Sequence, residues 1–160
     1  MKNFGIKKGQ GATEYLVLLA VVLIVAMVAI ALLGFFPGLA GDAKIAQSDA
    51  YWRGTARPFA ILEHSLASDN NITMVVQNTE ADQRQLTNIS IGGSGYSGNL
   101  LNASYFSAGE KHKFVLNLSG TACTSGNTYE LYVNFTYNTA DNSITGQKQY
   151  GEKTLVGKCN

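Results

Sequence analysis

The chain has few of the residues that usually carry chemistry: 160 residues contain two cysteines, two histidines and two prolines, and charged residues make up only 14%. His64, His112, Cys123 and Cys159 supply neither the ligand set nor the spacing of a zinc site, so no metal is expected. No nucleophile, base and orienting acid can be assembled by spacing, so the expectation is a protein that is not an enzyme and takes no cofactor. His64 stands beside Glu63 and His112 between Lys111 and Lys113, each the simple reading of a helix-end or surface residue. Gly93-Ser-Gly95-Tyr-Ser-Gly98 does fit G-x-G-x-x-G, but no amphipathic helix follows and no acidic residue stands about 20 positions on, so it is not read as a dinucleotide site. Internal repeats are absent, and a formal net charge of +1 gives no reason to expect nucleic acid as a partner.

The most informative absence is local. The 22 residues 15–36 carry no charge, and at about 1.5 Å per residue they make a helix of roughly 33 Å, enough to cross a bilayer. Lys2, Lys7 and Lys8 precede this run, which places the N-terminus in the cytoplasm and everything after Pro37 outside. A secretory signal has an apolar core of only about 7–15 residues ending at a small-residue cleavage site. A plain anchor fits the length but leaves Glu14, a carboxylate at the edge of the lipid-facing segment, without a reason, since desolvating a charge there costs several kcal/mol.

Basic leader, Gly9-Gln10 junction, Glu14-Tyr15 and the long apolar helix together resemble the archaeal type IV pilins with class III signal peptides, over roughly residues 2–36. In that family a prepilin peptidase cuts after the leader glycine, and the mature chain begins Gln-x-Ser-x-Glu-Tyr. Here the stretch is Gln10-Gly11-Ala12-Thr13-Glu14-Tyr15, with Ala12 where serine is usual. The resemblance implies cleavage between Gly9 and Gln10 and an assembly role for Glu14 and Tyr15. It also implies a homo-oligomeric helical filament built by an assembly ATPase and a membrane platform. Losing Lys2, Lys7 and Lys8 leaves 9 basic against 11 acidic residues, a charge of −2.

The organisation expected is α+β. A leader, 1–9, precedes a long N-terminal helix, 10–66, kinked or broken near Pro37, with 15–36 in the membrane or filament core; a small antiparallel β domain, 67–160, follows. Gly34, Pro37, Gly38 and Gly41 crowd the expected break. Past it Asp42 can cap a second helical stretch, in which Ile45, Trp52, Ala56, Phe59 and Leu66 recur at helical spacing and Pro58 introduces another bend. Tyr51 and Trp52 read as core rather than as a ligand-stacking pair. From Ile72 the period changes to two, which predicts strands near 72–78, 86–91, 112–118, 129–137 and 148–156, with 92–99 as a loop.

Cys123 and Cys159 fall in the external part, where disulfides persist. A bridge is the expectation, stabilising by roughly 3–4 kcal/mol in the chain-entropy model; two free buried thiols are the competing reading. Asn71, Asn88, Asn102, Asn117 and Asn134 each head an N-x-[ST] triplet, the acceptor pattern for glycosylation of exported proteins. Random placement of the 13 Asn and 23 Ser plus Thr gives about two such triplets, so five is an excess. By strand alternation Asn117 and Asn134 point away from their apolar neighbours, toward solvent.

The function expected is therefore a structural subunit of an extracellular filament, polymerised through its N-terminal helix and used for attachment to surfaces or other cells. It would lie in the cell membrane before assembly. The alternative is a minor pilin or membrane-tethered module that binds a sugar or protein at the cell surface.

Overall fold

The computed structural model describes residues 10–160, except for the side chains of residues 10, 34–39 and 102. The expected leader, 1–9, lies outside the described residues. Two compact units are present, one ending at Gly41 and the other running Asp42–Asn160.

Helix α1 spans Gln10–Gly54. It is unbroken at Pro37, so of the expected kink or break the break does not occur: a proline deletes a single i→i−4 bond, and a helix can continue around that loss. A second correction concerns its end. The helix stops at Gly54, not near residue 66; Thr55 N and Ala56 N both donate to Tyr51 O at 2.9 Å, and Arg53 in the last turn suits the negative end of the helix dipole. Pro58 follows the helix instead of bending it, and residues Phe59–Leu66, expected to be helical, form strand β1.

The other strands are β2 Asn71–Asn78, β3 Arg84–Gly93, β4 Tyr96–Phe106, β5 Lys111–Asn117, β6 Thr128–Thr139, β7 Gln147–Tyr150 and β8 Leu155–Lys158. They form two antiparallel sheets: a three-stranded one in the order β1-β2-β5, and a five-stranded one in the order β4-β3-β6-β7 with β8 also paired to β6. The α+β class is thus the observed one. Two expected features change in detail. The stretch 92–99 is no loop: it contains a two-residue hairpin turn, Ser94 and Gly95, with φ of 49° and 78°, the paired positive values of a type I′ connection. The stretch 148–156 is two short strands separated at Gly151, where a Cβ would stand 2.5 Å from the Trp52 ring and force the chain away from it.

Alternation explains the core. Ile72, Met74 and Val76 on β2, Phe114 and Leu116 on β5, and Tyr129, Leu131, Val133 and Phe135 on β6 all turn inward, so both sheets feed one hydrophobic cluster. The final helical turns close it: Trp52 is fully buried and meets Phe135 edge-on at 6.2 Å. Buried Ser48 ties these turns to β8, donating to Thr154 O and accepting from Val156 N, both at 2.9 Å.

Candidate functional site

The first candidate is the helix from Gly11 to Leu33, a 23-residue segment long and apolar enough to cross a membrane, none of which is buried within the chain. Its apolar residues cover the full circumference, with Tyr15 67%, Leu18 66%, Met27 65% and Leu33 68% exposed. Each large apolar side chain left in water forgoes about 1.5–3 kcal/mol. Such a surface needs lipid or other helices around it, and a helix apolar on all sides is suited to either. Glu14 and Tyr15 lie near its N-terminal end, both exposed. Gly9 lies outside the described residues, and Gln10 is the first residue of the helix.

The second candidate is the set of asparagines that head the N-x-[ST] triplets, which the fold separates into different situations. Asn71 and Asn117 are directly opposite each other on β2 and β5. Asn117 Nδ2 donates to Asn71 Oδ1 at 3.0 Å, and Asn71 Nδ2 donates to Asp69 Oδ2 at 2.7 Å. Bonds from Asn71 N and Nδ2 hold the exposed Asp69 carboxyl below its ordinary value. Asn88 lies on central strand β3, its Oδ1 buried without a partner among the described residues. Asn102 is on β4. Asn134, on β6, is half-buried, and its side chain has no hydrogen-bond partner among the described residues.

Cys123 and Cys159 form a disulfide with Cα atoms 5.8 Å apart. It holds the 119–127 segment against the C-terminus, where Asn160 N donates to Leu66 O at 3.0 Å.

A third grouping was not foreseen. His64 sits on β1 and not at a helix end, largely buried, with Nδ1 2.6 Å from the Tyr129 hydroxyl and Nε2 3.4 Å from Asp49 Oδ1. Burial lowers the His64 pKa, against the opposing pull of Asp49; burial raises that of Tyr129, with the Asp49 charge adding to it. The neutral imidazole then accepts from Tyr129 at Nδ1 and donates from Nε2 toward Asp49. This resembles a catalytic relay only in composition. Tyr129 is 1% exposed, and the Gly157 backbone passes so close that a Cβ there would be 2.5 Å from its hydroxyl. The cleft beside it is lined by Asp49, Arg53, Glu63, His64 and Lys158, but the hydroxyl itself is engaged by His64, and the arrangement joins the helix end to both sheets. The spacing that could have suggested it is slight, because Asp49, His64 and Tyr129 are far apart in sequence. His112 is exposed to solvent on one side, with Nε2 2.9 Å from Glu110 Oε1 and its ring stacked on Phe106 at 4.2 Å. Among the described residues no group of three or more His, Cys, Asp or Glu gathers as a metal site would require.

No curated protein matches the chain. Residues 7–33 match the family model of the class III signal peptide, a match confined to the N-terminal part of the chain that supports a type IV pilin-like prepilin.

Proposed function

We propose that the chain is the precursor of a structural subunit of an extracellular, archaeal type IV pilus-like filament used for adhesion. The observation that carries this reading is the fully exposed apolar helix Gly11–Leu33, which directly follows the basic leader and coincides with the class III signal-peptide match. In this reading a prepilin peptidase removes residues 1–9, the helix rests in the membrane, and an ATPase-driven platform moves it into a packed helical core. Moving an apolar helix from lipid to helix neighbours brings little hydrophobic gain, so packing and polar pairing must supply the preference. Glu14 provides the polar element: cleavage creates an α-ammonium on Gln10, and the carboxylate of one subunit pairs with that group on the next. The β unit, sealed by the Cys123–Cys159 bridge, faces the medium and carries the glycans.

N-terminal sequencing of sheared surface filaments tests this directly. The subunit is expected to begin at Gln10; a start at Met1, or beyond residue 36, overturns the reading.

A further inference from the structure

The outer face of the five-stranded sheet carries two exposed aromatic rings around one asparagine. Tyr132, Asn134 and Thr136 alternate along β6 and share that face. Tyr150 on β7 lies directly opposite Asn134, and Ser90 on β3 lies opposite it on the other side. Tyr132 is 61% and Tyr150 62% exposed, whereas Tyr129 on the inner face is 1% exposed. Facing residues on adjacent strands have Cβ atoms about 5 Å apart, so Asn134 and Tyr150 are side-chain neighbours. Tyr132 is held in place, since its ring edge lies against Gly93, where a Cβ would stand 3.0 Å from it. Opposite Tyr132 is Gly92, with open space where a side chain would be.

We propose that Asn134 carries a glycan whose first sugar packs on the rings of Tyr132 and Tyr150, making the modification part of the folded surface. Several observations converge. The Asn134 amide has no hydrogen-bond partner among the described residues, while Asn71 and Asn117 have amides tied to each other and to Asp69, and Asn88 has its amide oxygen buried. The electron-rich faces of tyrosine rings attract the polarised C–H groups of a pyranose, and the small Ser90 and Gly92 leave room for one. In the transfer the Asn134 Nδ2–C1 bond forms as the sugar–phosphate bond of an activated, phosphate-linked donor breaks. The proton displaced from the amide passes to solvent, and the donor leaves as its phosphate. The inference rests on the proposal that the β unit is exported.

The test uses the full chain from its own cells. Cleavage after glutamate releases residues 131–152, which contain Asn134 and no other acceptor triplet. This peptide is expected to be heavier by a glycan in most copies, and the glycosylated chain in detergent to melt about 2–6 °C above Asn134→Gln. That gap is expected to vanish when Tyr132→Ser and Tyr150→Ser are introduced into both forms, and to survive Tyr132→Phe, which keeps the ring. An unmodified peptide, or a gap indifferent to loss of the rings, overturns the inference. Labelling intact cells with a membrane-impermeant amine reagent separates the two levels. Labelled Lys111 and Lys113 beside an unmodified 131–152 peptide sink only the glycan, whereas unlabelled lysines sink the external placement as well.

Discussion

At the scale of single residues, His64 is where burial and chemistry conflict most. Its folded pKa lies below the ordinary 6.5 because desolvation disfavours the imidazolium. Above about pH 6.5 both folded and unfolded chains hold a neutral ring, and stability is full. As pH falls below that value the unfolded chain takes up a proton that the folded one resists, so stability declines toward the folded pKa. The melting temperature of the β unit is expected to fall between pH 7 and pH 5, and His64→Gln to flatten that part of the profile; parallel profiles for the two proteins would refute the assignment. Surface ion pairs contribute less. Lys44–Glu130 at 2.7 Å and Lys158–Asp42 at 2.9 Å join partners that are 41–64% exposed, a class worth about 0–1 kcal/mol.

At the scale of elements, the strands differ in how legible they are, and the reasons are physical. Strands β2, β5 and β6 alternate cleanly because one side faces core and the other solvent, as their burial patterns show. Strand β1 begins with three consecutive buried residues, and its register slips between Ile61 and Glu63. A bulge erases the period of two, and Phe59 and Leu66 then fall at a spacing that also suits a helix. Their burial was legible and their backbone was not. Strand β4 is an edge strand opposite another bulge, at Leu86/Asn88, with Leu101 turned to solvent, so it shows no sustained alternation. The hairpin joining β3 to β4 depends on Gly95 at φ 78°, with nothing within 4 Å of the position a Cβ would take. Gly95→Ala therefore isolates backbone strain from packing. It is expected to cost about 1 kcal/mol, read as a lower midpoint in chemical denaturation, with Gly95→Asn closer to wild type because asparagine tolerates that conformation.

At the scale of the whole molecule, two predictions concern what holds the β unit together and what assembles it. The disulfide spans 36 residues, and closing a loop of that size stabilises by about 3–4 kcal/mol in the chain-entropy model. Replacing both cysteines with alanine is expected to lower the denaturation midpoint accordingly and to expose the C-terminal residues to proteolysis; an unchanged midpoint would show that the bridge is dispensable. Removing one member of a buried charge pair strands the other, at about 3–5 kcal/mol. Under the filament proposal, Glu14→Gln is expected to leave processing and membrane insertion largely intact while filament numbers drop sharply in electron micrographs. Normal filament numbers, with the variant subunit confirmed inside them, would sink the pairing role.

What the sequence determined by itself is the long apolar helix, the cluster of basic residues before it, and the alternation of the central strands. Each of these is a local property: an uncharged run, a charge asymmetry, or a period of two written in consecutive side chains. Only the tertiary structure decided where the helix stops, because Gly54 is a weak signal and the next strand is stabilised by pairing with β2 across a turn. It also decided which of the described asparagine side chains are paired. That depends on the partner brought alongside by sheet register: Asn117 for Asn71, Tyr150 for Asn134. The joining of Asp49, His64 and Tyr129 belongs to the same class, since contacts between residues this far apart in sequence are set by packing and leave no periodic trace in the chain.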